Sequence, residues 1–151
     1  MINYLPLLNG HLAIGHKPGK KLSFNQLKSE GVTTVITLLN DNEGAANIAQ
    51  QSVQAAIEWI GFPFSAAPQS NDPDEVLKLL SQLQQRLLNG GKIYVHCSAG
   101  IHRTGMIAYS LLRYLGCTAD DAFKKLSILR PVTAAQVGTE RLAWADQFAT
   151  V

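Results

Sequence analysis

Cys97 and Arg103 are the two residues of this chain whose types and spacing could do chemistry together. A thiolate is a nucleophile, and a guanidinium offers a planar fork of donors suited to two oxygens of an oxyanion. Between them lie Ser98, Ala99, Gly100, Ile101 and His102, a run short enough for a single tight loop, and Thr104 and Gly105 follow. Gly100 tolerates backbone angles that other residues avoid and leaves room for an anion to approach the main chain. Thr104 puts a hydroxyl where it could hydrogen-bond the sulfur and make it a better leaving group. His96, next to the cysteine, could tune the thiolate through a backbone or side-chain hydrogen bond. Together these residues suit the capture of an electrophilic, oxygen-rich group by sulfur.

Such a constellation needs elements that hold it. Ile93, Tyr94 and Val95 are apolar and β-favouring, and from Arg103 onward Met106, Ile107, Leu111, Tyr114 and Leu115 recur at helical spacing. A buried strand therefore runs into a loop that opens a helix, and Gly105 lets the first turn of that helix pack closely. The unpaired amides of a helix start and of the preceding loop converge on one concavity of positive potential, which favours a bound anion and the thiolate form of a cysteine. Taken singly, a buried cysteine is usually a small hydrophobe and an arginine at a helix start a solvated charge. A cysteine, two glycines and an arginine at one strand-loop-helix junction are harder to explain as packing alone.

His96-Cys97, five residues, and Arg103-Thr104-Gly105 resemble the signature loop of the cysteine-dependent protein tyrosine phosphatases, and within them the small dual-specificity phosphatases. The resemblance implies that Cys97 forms a phosphocysteine, that Arg103 binds the phosphoryl oxygens and that the amides of residues 98–103 cradle them. Rhodaneses also use a cysteine loop, but usually with one residue fewer before the closing basic residue and without the histidine. Many family members carry an aspartate after a strand like Phe62-Pro63-Phe64, which protonates the leaving oxygen. The matching positions here are Ser65 and Ala66, and neither transfers a proton. Asp72 is then a candidate general acid, with Asp74 behind it. Equally, Asp72-Pro73-Asp74-Glu75 reads as a helix start, with Asp72 as N-cap. In Arg130–Gln136 the resemblance makes Gln136 the residue that positions the hydrolytic water; on its own terms it is a glutamine of a helix start.

Two functions follow from the resemblance. One is a phosphomonoester hydrolase, dual-specificity by default because nothing before the first strand resembles the extension of tyrosine-only members. The other is a pseudophosphatase that holds phosphorylated partners without efficient turnover, because the usual aspartate is missing. The loop carries no lysine, which favours a phosphoprotein or small phosphate ester over an inositol phosphate or lipid.

At 151 residues, 46% hydrophobic and 16% charged, the chain reads as one domain spanning residues 1–151 with a sizeable core. A formal charge of +2 gives no indication of a nucleic-acid partner. No apolar run approaches the ~18 residues of a spanning helix, and the first residues lack the basic start of a leader. A cytoplasmic monomer, away from membranes, is expected. Cys117 is read as packed rather than disulfide-bonded, since a structural bridge would consume Cys97. His11 and His16 lack a matching carboxylate spacing, so no metal is expected, and no cofactor is expected because the loop itself supplies the positive charge.

Apolar runs flanking Asn9-Gly10 predict a hairpin over residues 2–14 at the edge of a sheet. Ser23 predicts a helix cap, and Val32–Leu39 a strand buried on both faces that ends in the polar turn Asn40–Gly44. In the family this chain resembles, such a strand is followed by a loop near the active site, which implies that Asp41 and Glu43 lie at the pocket rim; on their own terms they are solvated loop residues. Ala49, Val53, Ala56, Ile57 and Ile60 predict a helix ending at Gly61, and Phe62–Phe64 a short strand. Residues 74–88 form a helix with Val76, Leu79, Leu80, Leu83 and Leu87 inward. Thr118 caps a helix with Phe123, Leu126 and Leu129 inward, stopped by Arg130-Pro131, and a last helix covers Val137–Phe148. The alternation implies an α/β fold, a central and mostly parallel sheet of about four or five strands with helices on both faces, as in protein tyrosine phosphatases.

Overall fold

Strand β5 (Lys92–His96) lies at the centre of the sheet, between β2 (Gly10–Gly15) and β3 (Thr34–Thr37), and is parallel to both. β1 (Leu5–Leu7) pairs antiparallel with β2 on one edge, and β4 (Glu58–Gly61) pairs parallel with β3 on the other, giving the order β1-β2-β5-β3-β4. This computed structural model describes residues 2–151.

The strands alternate between two buried layers, as the two-residue period of a strand dictates. Leu12, Ile14, Ile36, Ile93 and Val95 face the larger layer. Ala13, Val35 and Tyr94 face the smaller one, with Leu22, Leu27, Val32 and Ile57. The near-continuous apolar character of β3 and β5 is thus the mark of strands covered on both sides. Helices α3 (Pro73–Leu88), α4 (His102–Tyr114) and α5 (Ala119–Leu129) contribute to the larger layer, where Met106, Ile107 and Leu111 are fully buried. α1 (Phe24–Ser29) starts where expected, with the Ser23 hydroxyl accepting from the Gln26 amide at 3.0 Å.

Several expectations need correction. Helix α2 covers Ala45–Gln54, and residues 58–61 are strand β4 rather than more helix, while Phe62–Phe64 form no strand. The apolar spacing that suggested a longer helix was coincidental. The helix buries Ala45, Ile48 and Ser52, leaves Val53 70% exposed, and ends at Gln54, ahead of Ala56, whose φ is +59°. Pairing with β3 outcompetes local propensity there. Of the N-terminal hairpin only β1 is at the edge, because β2 also pairs with β5. Phe123 is 42% exposed and Ala122 is buried in its stead. The last helix is shorter than expected. After α6 (Pro131–Gln136), Gly138 interrupts the chain with φ +93°, and α7 covers Thr139–Ala145 before a 3-10 turn at Asp146–Phe148.

Candidate active site

β5 ends at His96, so the loop from Cys97 to Ile101 leaves the C-terminal edge of the sheet beside the ends of β2 and β3 before α4 begins. Neighbouring segments fix the loop by its carbonyls. The Cys97 carbonyl accepts from His96 Nδ1 at 2.9 Å and the Ser98 carbonyl from the Lys17 amide at 3.0 Å. Arg130 Nη1 donates to the Ala99 and Gly100 carbonyls at 2.8 and 2.9 Å, and Thr133 Oγ1 donates to Gly100 at 2.6 Å. In a planar peptide the next amide points opposite its carbonyl, so carbonyls held outward turn amides inward. The amides of Ser98, Ala99, Gly100 and Ile101 donate to no acceptor among the described residues. They are the donors an oxyanion needs. Gly100 has φ +73°, and a Cβ there would collide with the Gly15 carbonyl, which excludes any side chain.

Thr104 Oγ1 donates to Cys97 Sγ at 3.0 Å, as its position after the arginine suggested. Cys97 is only 4% exposed, yet it contributes to the wall of a cavity of about 600 Å³ and is not sealed in hydrocarbon. The cavity is further walled by Ser98, Ala99, Ile101, His102 and Arg103 from the loop, by Asn40 and Glu43 from the turn after β3, and by Pro63–Ala66, Ser70 and Asn71 from the segment after β4.

Arg103 forms a bidentate ion pair with Glu43, Nη1 to Oε1 at 2.9 Å and Nη2 to Oε2 at 3.0 Å. The pair uses the end of the guanidinium and leaves the Nε side of the fork free. Hydrogen bonding to Arg103 holds the Glu43 carboxyl down at about 2, well below the usual range, and Glu43 raises the arginine in turn. Glu43 is therefore charged at any physiological pH. It sits at the end of the 3-10 turn Asp41–Glu43, where its carboxylate also accepts from the Asn40 amide at 3.0 Å.

Behind the cysteine a chain of hydrogen bonds crosses three strands. Trp59 Nε1 donates to Thr37 Oγ1 at 2.8 Å, and Thr37 Oγ1 lies 2.8 Å from His96 Nε2. A carbonyl only accepts, so the contact of His96 Nδ1 with the Cys97 carbonyl puts the imidazole proton on Nδ1. Nε2 is then the acceptor and the Thr37 hydroxyl the donor, which leaves its oxygen to receive the indole. Every member is satisfied only when His96 is neutral, and burial lowers its pKa to about 4.

The remaining sequence candidates fall elsewhere. Asp72 is exposed at the N-cap of α3, where its carboxylate accepts from the Asp74 amide at 2.9 Å, and it does not line the cavity. Gln136 is exposed at the end of α6 and does not line it either. Asn71 does line the cavity: its side chain accepts from the Ser65 amide and donates to the Ser65 carbonyl, both at 2.9 Å, fixing that part of the wall. Glu43 is the one carboxylate among the cavity-lining residues. Sequence reasoning missed the pairing of Glu43 with Arg103 and the clamp formed by Arg130 and Thr133. The signals available were the polar turn after β3 and the RPVT stretch that opens α6.

The family model described as the dual specificity phosphatase catalytic domain matches residues 14–140, and the chain belongs to that family. The fold recurs in kinase associated phosphatase carrying serine for its catalytic-site cysteine, with a TM-score of 0.80 at 20% identity, covering 100% of this chain and 97% of that one. Tk-PTP in its active form gives a TM-score of 0.73 at 20% identity, over 94% and 95% of the two chains. PTPMT1 in complex with PI(5)P gives 0.77 at 18% identity, over 96% and 93%. No curated protein matches the sequence. Family and fold together support a phosphatase of the cysteine-dependent type. No helix among the described residues is long and apolar enough to cross a membrane.

Proposed function

We propose that the protein hydrolyses phosphomonoesters in two steps through a phosphocysteine on Cys97. The observation that carries this reading is that Cys97, the loop residues Ser98, Ala99 and Ile101 with their unpaired amides, and Arg103 line one open cavity. The substrate's phosphoryl oxygens take the amides and the guanidinium, which stabilise charge without reorganising as the transition state forms. Cys97 attacks phosphorus in line, the S–P bond forms as the ester P–O bond breaks, and the leaving oxygen departs with its electron pair. Water then attacks phosphorus, releases inorganic phosphate and returns the thiolate. The Thr104 hydroxyl, donating to sulfur, eases that departure. Ser98 to His102 supply the cradle, and His96 acts behind it through the Cys97 carbonyl.

The leaving oxygen must find its proton without a cavity carboxylic acid, because Glu43 is held as a carboxylate by Arg103 and Asp72 stands at the mouth of α3. General acid catalysis is worth ~10²–10⁴-fold, and its lack penalises poor leaving groups most. Aryl phosphates, including phosphotyrosine, are therefore the preferred substrates over serine and threonine phosphates. The same observation favours a second reading, a phospho-binding module with little turnover. Steady-state hydrolysis of p-nitrophenyl phosphate by the wild type and by Cys97→Ser separates the two. Turnover abolished in the variant supports the enzyme, and an inactive wild type that still binds phosphotyrosyl peptide supports the module.

A further inference from the structure

We propose that the segment from His16 to Lys21, sequence HKPGKK, forms an accessory anion site that selects phosphopeptides bearing an acidic residue beside the phosphorylated one. The assignment rests on the reading of the signature loop as a phosphoryl site. The segment follows β2 and is tied to that loop by the Lys17 amide, which donates to the Ser98 carbonyl at 3.0 Å. Lys17 Nζ reaches the main-chain carbonyl of Glu43 at 3.4 Å, while the side chain of the same glutamate holds Arg103. A single residue thus separates the ammonium from the guanidinium.

Lys17 and Lys20 line a second cavity of about 510 Å³, together with Pro18, Asn47, Ile48 and Gln51. None of Lys17, Lys20 and Lys21 forms a salt bridge among the described residues, and Glu43, the carboxylate residue Lys17 touches, is already committed to Arg103. Two uncompensated ammonium groups beside an oxyanion cradle attract a second negative charge on the same substrate. The other polar groups of the cavity say what carries that charge. Asn47 and Gln51 are one helical turn apart on α2, and their carboxamides offer donors and acceptors that match a peptide backbone. A flanking aspartate or glutamate of a bound peptide then meets Lys17 and Lys20.

The test uses the Cys97→Ser variant of this chain, so that binding is read whether or not the wild type turns over. Affinity is measured for a phosphotyrosyl peptide with acidic flanks, for the same peptide with amide flanks, and for a soluble inositol bisphosphate. The acidic peptide is expected to bind about three- to tenfold more tightly than its amide counterpart, as two exposed ion pairs allow, with the gap closing as salt is raised. Adding Lys17→Ala and Lys20→Ala should reduce the ratio to about one. Equal affinities for the two peptides, or a preference that survives the double substitution, would overturn the proposal. Lysine-dependent preference for the inositol bisphosphate over the acidic peptide would overturn its peptide assignment. A failure of wild-type hydrolysis, measured separately, bears on the catalytic reading alone.

Discussion

The guanidinium of Arg103 and the carboxylate of Glu43 meet through two parallel hydrogen bonds of 2.9 and 3.0 Å, joining the start of α4 to the turn after β3. Arg103 also lies close to the Leu38 carbonyl, at 3.4 Å from Nη1. These contacts hold the guanidinium in place at the cavity wall before any substrate arrives. Pre-organisation of this kind removes an ordering cost from binding.

Replacing Glu43 by glutamine keeps the shape and removes the charge. We expect kcat/KM for p-nitrophenyl phosphate to fall about tenfold, equivalent to ~1.4 kcal/mol, while the folded state persists by circular dichroism. Unchanged kinetics would mean that the loop alone orients Arg103.

Thr37 is expected to act through His96. Thr37→Val removes the only hydroxyl donor to His96 Nε2 and leaves the Trp59 indole without its acceptor. Both kcat and kcat/KM should drop severalfold, with KM little changed. Thr37→Ser should restore both. A valine variant with normal kinetics and only a lowered Tm would reduce the chain of hydrogen bonds to packing.

Asp72 tests the general-acid assignment suggested by resemblance. Its observed contact is the cap of α3. Asp72→Asn, an equally good N-cap, should leave both Tm and turnover unchanged, and Asp72→Ala should cost about 1 kcal/mol of stability without slowing the reaction. A fall of 10²-fold in kcat for Asp72→Asn would show that the carboxylate reaches the substrate.

Acid should destabilise the fold in a defined window. His96 has its pKa lowered by burial to about 4, so below its ordinary 6.5 the unfolded chain binds a proton that the folded chain resists. The stabilisation present above pH 6.5 is therefore lost as pH falls toward 4. Glu43, depressed to about 2, adds a loss of the same sign as pH falls below 4.5. Thermal melts between pH 7 and 4 should show Tm falling, and His96→Gln should flatten the upper part of that fall.

Sequence reading recovered the elements whose signals are local. Asp72 and Ser23 announced helix starts, Leu79, Leu80 and Leu83 a buried stripe, and Cys97 to Gly105 the loop itself. It failed where pairing across the chain decided the outcome. Glu58–Gly61 became a strand because β3 offered an edge, although Ile57 and Ile60 sat at helical spacing. The site shows the same division. Thr104 could be placed from its distance along the chain to Cys97, but Glu43, Thr37 and Arg130 reach the loop from 60, 59 and about 30 residues away, and no local pattern encodes such contacts.

Trapping the intermediate tests the catalytic proposal most directly. Wild-type protein mixed with an aryl phosphate and quenched in acid should carry one phosphoryl group on the peptide containing Cys97, with none on the Cys97→Ser variant. Hydrolysis that proceeds with no such adduct, or with the label on another residue, would contradict it.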